Sequence, residues 1–224
     1  MPVPAGAPEA LAGACITRTP IAALDAALDT APGFTVLHRD ERDHAATRAP
    51  RRAREFVAGR AALRAALQAA GWSGDDPLLP GEQGRPELPR GWTGSITHKD
   101  GLAFAVARRL IEGRTLGIDS EVVGERERLG IARKVLTGAE LARWSGAWED
   151  LLELFSTKES IYKALHPHVP RYIGFLEAEI DAQGGITMTL EQGEGPFTLV
   201  RTLWWEGAGP HRRLVTLAEA RRGG

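Results

Sequence analysis

Two stretches with helical spacing, residues 51–70 and 149–166, each stand beside strand-like runs, and this pairing limits the folds open to the chain. In the first stretch Phe56, Leu63, Leu67 and Ala70 recur at helical spacing, and Gly71 ends the pattern. The second reads EDLLELFSTKESIYKALH. Between them LAFAVARRL suits a buried strand, EGRT a turn and TLGIDSEV another strand. Thr137 and Glu140 form a capping box, T-x-x-E, opening a helix to about Trp144. Near the end Ile186, Met188 and Leu190, then Phe197 and Leu199, alternate as antiparallel strands do. Residues 21–29 read as a short helix and 73–93 as a Gly- and Pro-bearing loop. A long helix and several strands in each half predict an α+β architecture of two similar-sized lobes. The division falls near the 110–114 turn, giving an N-terminal lobe 1–110 and a C-terminal lobe 111–224.

Composition removes several classes of function. The only cysteine, Cys15, rules out an internal disulfide and a Cys-based metal site. No apolar run approaches the roughly 18 residues that span a bilayer. A formal net charge of −1 gives no overall attraction to nucleic acid or anionic membrane, so any anion site must be a local patch. Residues 1–14 lack a basic start and a long apolar stretch, and they read as a flexible lead-in to a cytoplasmic protein.

Four short motifs carry the chemistry. In GIDSE, residues 117–121, Asp119 and Glu121 are two apart on a strand and share a face, while Ser120 points away. Adjacent carboxylates repel, and a hard cation such as Mg²⁺ resolves this; a solvated strand end also accommodates them. In FSTKESIYKAL, Glu159 and Lys163 are four apart on one helix face with Lys158 one step round, which equally fits a surface ion pair. In GSITH, residues 94–98, Thr97 and His98 offer a hydroxyl and an imidazole at a strand end, and a core histidine fits the same string. Finally Arg39, Arg42, Arg48, Arg51, Arg52, Arg54, Arg60 and Arg64 outnumber the acids around them. Their guanidinium forks suit phosphate, although a solvated helix face looks alike.

Taken in order, R-R-A-R-E-F-V-A-G-R, Q-G-R-P, G-S-I-T-H, L-G-I-D-S-E and F-S-T-K-E-S-I-Y-K-A resemble the 4′-phosphopantetheinyl transferase superfamily. They most resemble its larger single-chain type, which serves siderophore, non-ribosomal peptide and polyketide synthases. The resemblance covers about residues 45–180, and RYIGFLEAEI resembles the siderophore-type branch. It implies two pseudo-symmetric lobes, each a small antiparallel sheet packed with a long helix, with coenzyme A in the cleft between them. It implies that Asp119, Glu121 and Glu159 hold Mg²⁺ (or Mn²⁺), and that Glu159 or a water on the metal deprotonates the acceptor serine. Lys163 and Lys158 would hold the phosphates, with Thr97 and His98 contacting the diphosphate or the 3′-phosphate. Arg52 and Arg60 would hold the 3′-phosphate, and Arg85 occupies the basic position of G-[KR]-P. Ser120, Thr97 and Phe155 depart from the residues common at those places, and none removes a group the chemistry needs.

The implied partners are coenzyme A and an acyl or peptidyl carrier protein, with a monomeric enzyme, no nucleic acid and no membrane. The stretch from Val122 to Trp148 offers Leu129, Ile131, Val135 and Leu136 beside Arg126, Arg128, Arg133 and Lys134 as a docking surface for an acidic carrier. Those apolar residues also suit packing onto their own lobe. The competing readings are another Mg²⁺-dependent hydrolase of nucleotide diphosphates and a non-enzymatic nucleic-acid-binding module.

Overall fold

The computed structural model describes residues 8–81, 84–124 and 128–223. They form two compact units that divide between Ile111 and Glu112, with the segment up to Leu11 joining the second.

In the first unit the elements are β1 (Cys15–Pro20), α1 (Arg39–Ala46), α2 (Pro50–Ala69), β2 (Trp92–Lys99) and β3 (Leu102–Arg109). The strands form an antiparallel sheet in the order β1-β3-β2. Asp100 and Gly101, at φ 44° and 73°, close the β2–β3 hairpin, the conformation that a D-G pair adopts most readily. Helix α2 begins with Pro50, whose missing N–H is no loss in a first turn. Its Ala62, Leu63, Ala66 and Leu67 pack with Trp72, Leu78, Trp92, Ala105 and Ala107. Each fully buried leucine contributes about 1.5–3 kcal/mol relative to exposure. Gly59 lets β2 come close, since a Cβ there would lie 3.1 Å from the Ile96 side chain.

The second unit continues with β4 (Thr115–Val122), α3 (Ala132–Val135), α4 (Gly138–Arg143), α5 (Trp148–Leu165), β5 (Ala178–Ile180), β6 (Ile186–Met188), β7 (Phe197–Glu206) and β8 (Arg213–Arg222). Strands β4, β8 and β7 make one antiparallel sheet in that order, and β5 and β6 make a separate two-stranded one. Ile161, Ala164 and Leu165 of α5 pack on Ala218 and Ala220 of β8 and on Ile180 of β5. Each unit is therefore a three-stranded antiparallel sheet carrying a long helix, as an α+β reading requires.

Several local expectations fail for identifiable reasons. Residues 21–29 are not helical beyond the start of a 3-10 turn, Leu28–Thr30, because Arg54 takes the carbonyls of Ala23, Leu24 and Ala26 that a helix would use. The lead-in is anchored where it is described: a 3-10 helix spans Glu9–Leu11, and Leu11 and Ala14 are buried. Residues 1–7 lie outside the described residues. Helix α1 was not expected from RDERDHAA, which lacks an apolar stripe. It is held by a capping box between His38 and Glu41 and by burial of Glu41 against Arg64. Phe56 stays half-buried at the helix edge, and Val57 takes the inward position.

Candidate active site

Gly117 sets up the acidic centre of the second unit. A side chain there would overlap the Ser160 carbonyl oxygen and come within 2.5 Å of the Ala164 nitrogen, so β4 lies directly on α5 only because residue 117 is glycine. Strand alternation then carries Asp119 and Glu121 on the same face as Gly117. On α5, Ser156, Glu159 and Lys163 share the facing side by their three-, four- and seven-residue spacing. Asp119 receives the Ser156 hydroxyl at 2.8 Å on Oδ2 and the Lys163 ammonium at 2.8 Å on Oδ1. Lys163 also donates to the Ile118 carbonyl at 3.0 Å. Ser156 is tied to Thr216 of β8, which fixes the Asp119 carboxylate from beneath. Glu159 is half-buried, and burial first, then the Asp119 charge, hold its carboxyl above the ordinary carboxylate range, with Lys163 opposing. The expected pair Glu159 and Lys163 thus meets Asp119. Ser156 was not anticipated, although its place three residues before Glu159 was visible in FSTKES.

Lys158 has a different role from the phosphate ligand that the sequence suggests. Its side chain is 0% exposed, and Nζ donates to the Val135 carbonyl at 2.7 Å, Glu140 Oε2 at 2.6 Å and the Phe175 carbonyl at 3.0 Å. An ammonium has three protons, and all are used. Burial lowers its pKa, with Glu140 opposing. Glu140 caps α4 as expected, but it is also buried and accepts the Ile180 amide, so one carboxylate joins α4, α5 and β5. The reason is rotational: one step round the helix from Glu159 turns Lys158 inward, away from the acidic face.

The Val122–Trp148 stretch divides in the same way. Val135 and Leu136 are buried on Leu151, whereas Leu129, Arg128, Arg133 and Lys134 are exposed. Arg126 lies outside the described residues.

In the first unit, His98 lies on the β2 face turned to α2, in register with Ile96. Its Nε2 lies 3.4 Å from Glu55 Oε2, which also accepts Arg52 Nη1 at 2.8 Å, while Glu55 Oε1 accepts Arg51 Nε at 2.9 Å. Burial raises the Glu55 carboxyl, but the Arg51 hydrogen bond, His98 and Arg52 outweigh it and leave it below the usual range. Thr97 is buried on the opposite face of β2, since neighbouring strand residues alternate, and so does not join His98. Arg60 is no free arm alongside Arg52. It is buried, its Nε donates to the Leu78 carbonyl, and its guanidinium stacks on Phe56 at 4.6 Å. Burial first, offset by Glu41 and reinforced by Arg48, lowers its pKa to about 10. No carboxylate lies within ion-pair distance of Arg60 among the described residues. Arg85 stands exposed on the turn closed by the Gly81 amide and its own carbonyl. Arg51 entered the sequence reading only as one of the clustered arginines and Glu55 was given no role, though Glu55 follows Arg51 and Arg52 at helical ion-pair spacing.

Among the described residues no group of three or more His, Cys, Asp or Glu side chains is already drawn together as a metal cluster. The donor chemistry nevertheless suits a hard cation. Asp119 and Glu159 are close enough to repel, Glu121 lies on the same strand face, and all three offer oxygen.

Comparison with known proteins bears on both units. A family profile described as "4'-phosphopantetheinyl transferase N-terminal domain" matches residues 40–108, and one described as "4'-phosphopantetheinyl transferase superfamily" matches residues 115–216. The chain is 37% identical over 153 residues to 4'-phosphopantetheinyl transferase Svp of Streptomyces mobaraensis, covering 65% of this chain and 61% of that protein. It is 32% identical to the transferase Npt of Nocardia iowensis, covering 66% of each chain. To PptT of Mycobacterium tuberculosis it is 34% identical, again covering 66% of each. The match therefore spans about two thirds of the length of these relatives or slightly less. A solved structure titled "Chronobacterium ammoniagenes ACPS-CoA complex" aligns with 50% of this chain and all of its own, at 17% identity and a TM-score of 0.37, too low to add anything on function. With both profiles in sequence order over more than half its length, the chain belongs to the 4'-phosphopantetheinyl transferase superfamily.

Proposed function

We propose that the chain transfers 4′-phosphopantetheine from coenzyme A to a serine of an acyl or peptidyl carrier protein, in a Mg²⁺-dependent reaction that releases 3′,5′-ADP. The observation that carries this reading is the acidic centre in which Asp119, held by Ser156 and Lys163, faces the helix side that carries the half-buried Glu159. Glu159, or a water on the cation, would take the proton of the serine hydroxyl as general base. The serine oxygen then bonds to the phosphorus that bears pantetheine. The bond from that phosphorus to the bridging oxygen breaks, and its electron pair leaves on 3′,5′-ADP. Phosphoryl transfer of this kind depends on positioning and charge neutralisation more than on covalent catalysis. Asp119, Glu121 and Glu159 would hold the cation, which supplies neutralising charge to the diphosphate when bound.

Lys163 keeps a third N–H beyond its two protein acceptors for a phosphate oxygen. Arg52, Arg60 and His98 hold the 3′-phosphate. In support, Arg60 is a buried cation without a carboxylate partner among the described residues, and the nearby Arg48 adds like charge that an anion relieves. The test is intact-mass measurement of an apo carrier protein incubated with the enzyme, coenzyme A and Mg²⁺. Gain of one phosphopantetheinyl group, with 3′,5′-ADP released only when carrier is present, supports the transfer. Release of 3′,5′-ADP without carrier identifies a hydrolase instead.

A further inference from the structure

Glu55 does not act on substrate in the mechanism above, yet it is the point on which the exposed cations of the first unit converge. Its carboxylate is 9% exposed, while the side chains gathered on it are far more open: Arg51 at 80%, Arg52 at 66% and His98 at 40%. The acid therefore lies beneath the cations. Arg52 Nη1 and His98 Nε2 meet on one oxygen, Oε2, and Arg51 occupies the other. Arg52 and Glu55 are three apart on α2, whereas His98 comes from β2, so the carboxylate fixes a helix residue and a strand residue to one point. An exposed arginine carries about 2 kcal/mol of rotamer entropy, which a ligand must overcome unless the protein has already ordered the arm.

We propose that Glu55 is the positioning residue of the 3′-phosphate site, holding Arg52 and His98 so that their outward N–H groups converge on one phosphate. This rests on the reading that Arg52 and His98 bind that phosphate. Electrostatics and positioning predict opposite signs for its removal. Deleting a buried negative charge raises the local positive potential and, by Coulomb attraction alone, tightens binding of an anion. Loss of a scaffold releases the arms and weakens binding.

The experiment is calorimetric titration of the full chain with coenzyme A and with 3′-dephospho-coenzyme A, for wild type, Glu55→Gln, Arg52→Ala and His98→Ala, with melting temperatures recorded for each. Glu55→Gln is expected to weaken coenzyme A about tenfold, equivalent to about 1.4 kcal/mol, and to leave 3′-dephospho-coenzyme A within about twofold of wild type. A purely structural role would lower the melting temperature without favouring one ligand. Unchanged or tighter coenzyme A binding in Glu55→Gln overturns the proposal, as does equal weakening of both ligands. If Arg52→Ala and His98→Ala leave coenzyme A affinity unaltered, the phosphate-site reading falls and takes the proposal with it. If those two lose affinity and Glu55→Gln does not, only the role of Glu55 falls. Should Glu55→Gln fail to fold, Glu55→Asp, which keeps the charge but withdraws it by one methylene, is expected to show a smaller loss confined to coenzyme A, and no such selectivity overturns the proposal.

Discussion

Replacing Lys158 by methionine separates a lysine that holds the fold from one that holds phosphate. The side chain is fully buried, and its Nζ serves Glu140 and the carbonyls of Val135 and Phe175. Methionine matches its length and shape but leaves Glu140 as a buried carboxylate without its counter-charge. Breaking one partner of such a pair costs about 3–5 kcal/mol. The amides of Thr137 and Ile180 still donate to Glu140, which places the loss toward the lower end of that range. For a chain of this size each kcal/mol lowers the melting temperature by about 2–4 °C, so a fall of roughly 6–15 °C is expected by calorimetry or circular dichroism.

The kinetic consequence follows from what Lys158 touches. Its bonds to Val135 and Glu140 tie the stretch that carries the exposed Leu129, Arg133 and Lys134, through α3 and α4, to α5. At a temperature where Lys158→Met remains folded, KM for carrier protein should rise several-fold while KM for coenzyme A stays near wild type. A melting temperature within about 2 °C of wild type, together with a raised KM for coenzyme A, would refute this and restore Lys158 as a phosphate ligand.

Three further outcomes are expected. Glu159→Gln should lower turnover by about 10²–10⁴-fold, the usual contribution of a general base. In protein free of divalent cation it should also raise the melting temperature near neutral pH. Burial and Asp119 disfavour the charged form, so the wild-type carboxylate costs stability above its raised pKa; the advantage of the variant should vanish below the ordinary value of 4.5, where the group is protonated folded or unfolded. Gly117→Ala should cost more than the 1–3 kcal/mol typical of overpacking, roughly, because the new Cβ meets backbone atoms of α5 rather than movable side chains, and normal stability by thermal melting would show that β4 and α5 do not pack so closely. Charge reversal at the exposed Arg133 or Lys134 should raise KM for carrier protein in a salt-dependent manner and leave that for coenzyme A unchanged; unaltered carrier kinetics at low salt for both would place docking elsewhere.

The sequence is most legible where one periodicity decides the outcome. The alternation in TLGIDSEV puts Asp119 and Glu121 on one face, and the spacing of Glu159 and Lys163 puts them on another; the closeness of the two faces depends on Gly117, whose meaning appears only when α5 lies against it. Lys158 shows the limit of such reasoning. Helical spacing leaves it one step from Glu159, but whether that step ends in solvent or in the core depends on Glu140, eighteen positions away in the chain. The capping box identified Glu140 as a local cap and could not show that the same carboxylate is buried under β5. Arg54 fails for a related reason. An arginine-rich run looks like an anion-binding face when its local charge is counted, yet Arg54 is spent on the carbonyls of Ala23, Leu24 and Ala26. Polar groups that satisfy distant backbone leave no periodic mark, and in this chain they decide which cations stay exposed: Arg52 and His98 remain open at the surface over Glu55, while Arg54 and Lys158 hold the two units' own loops.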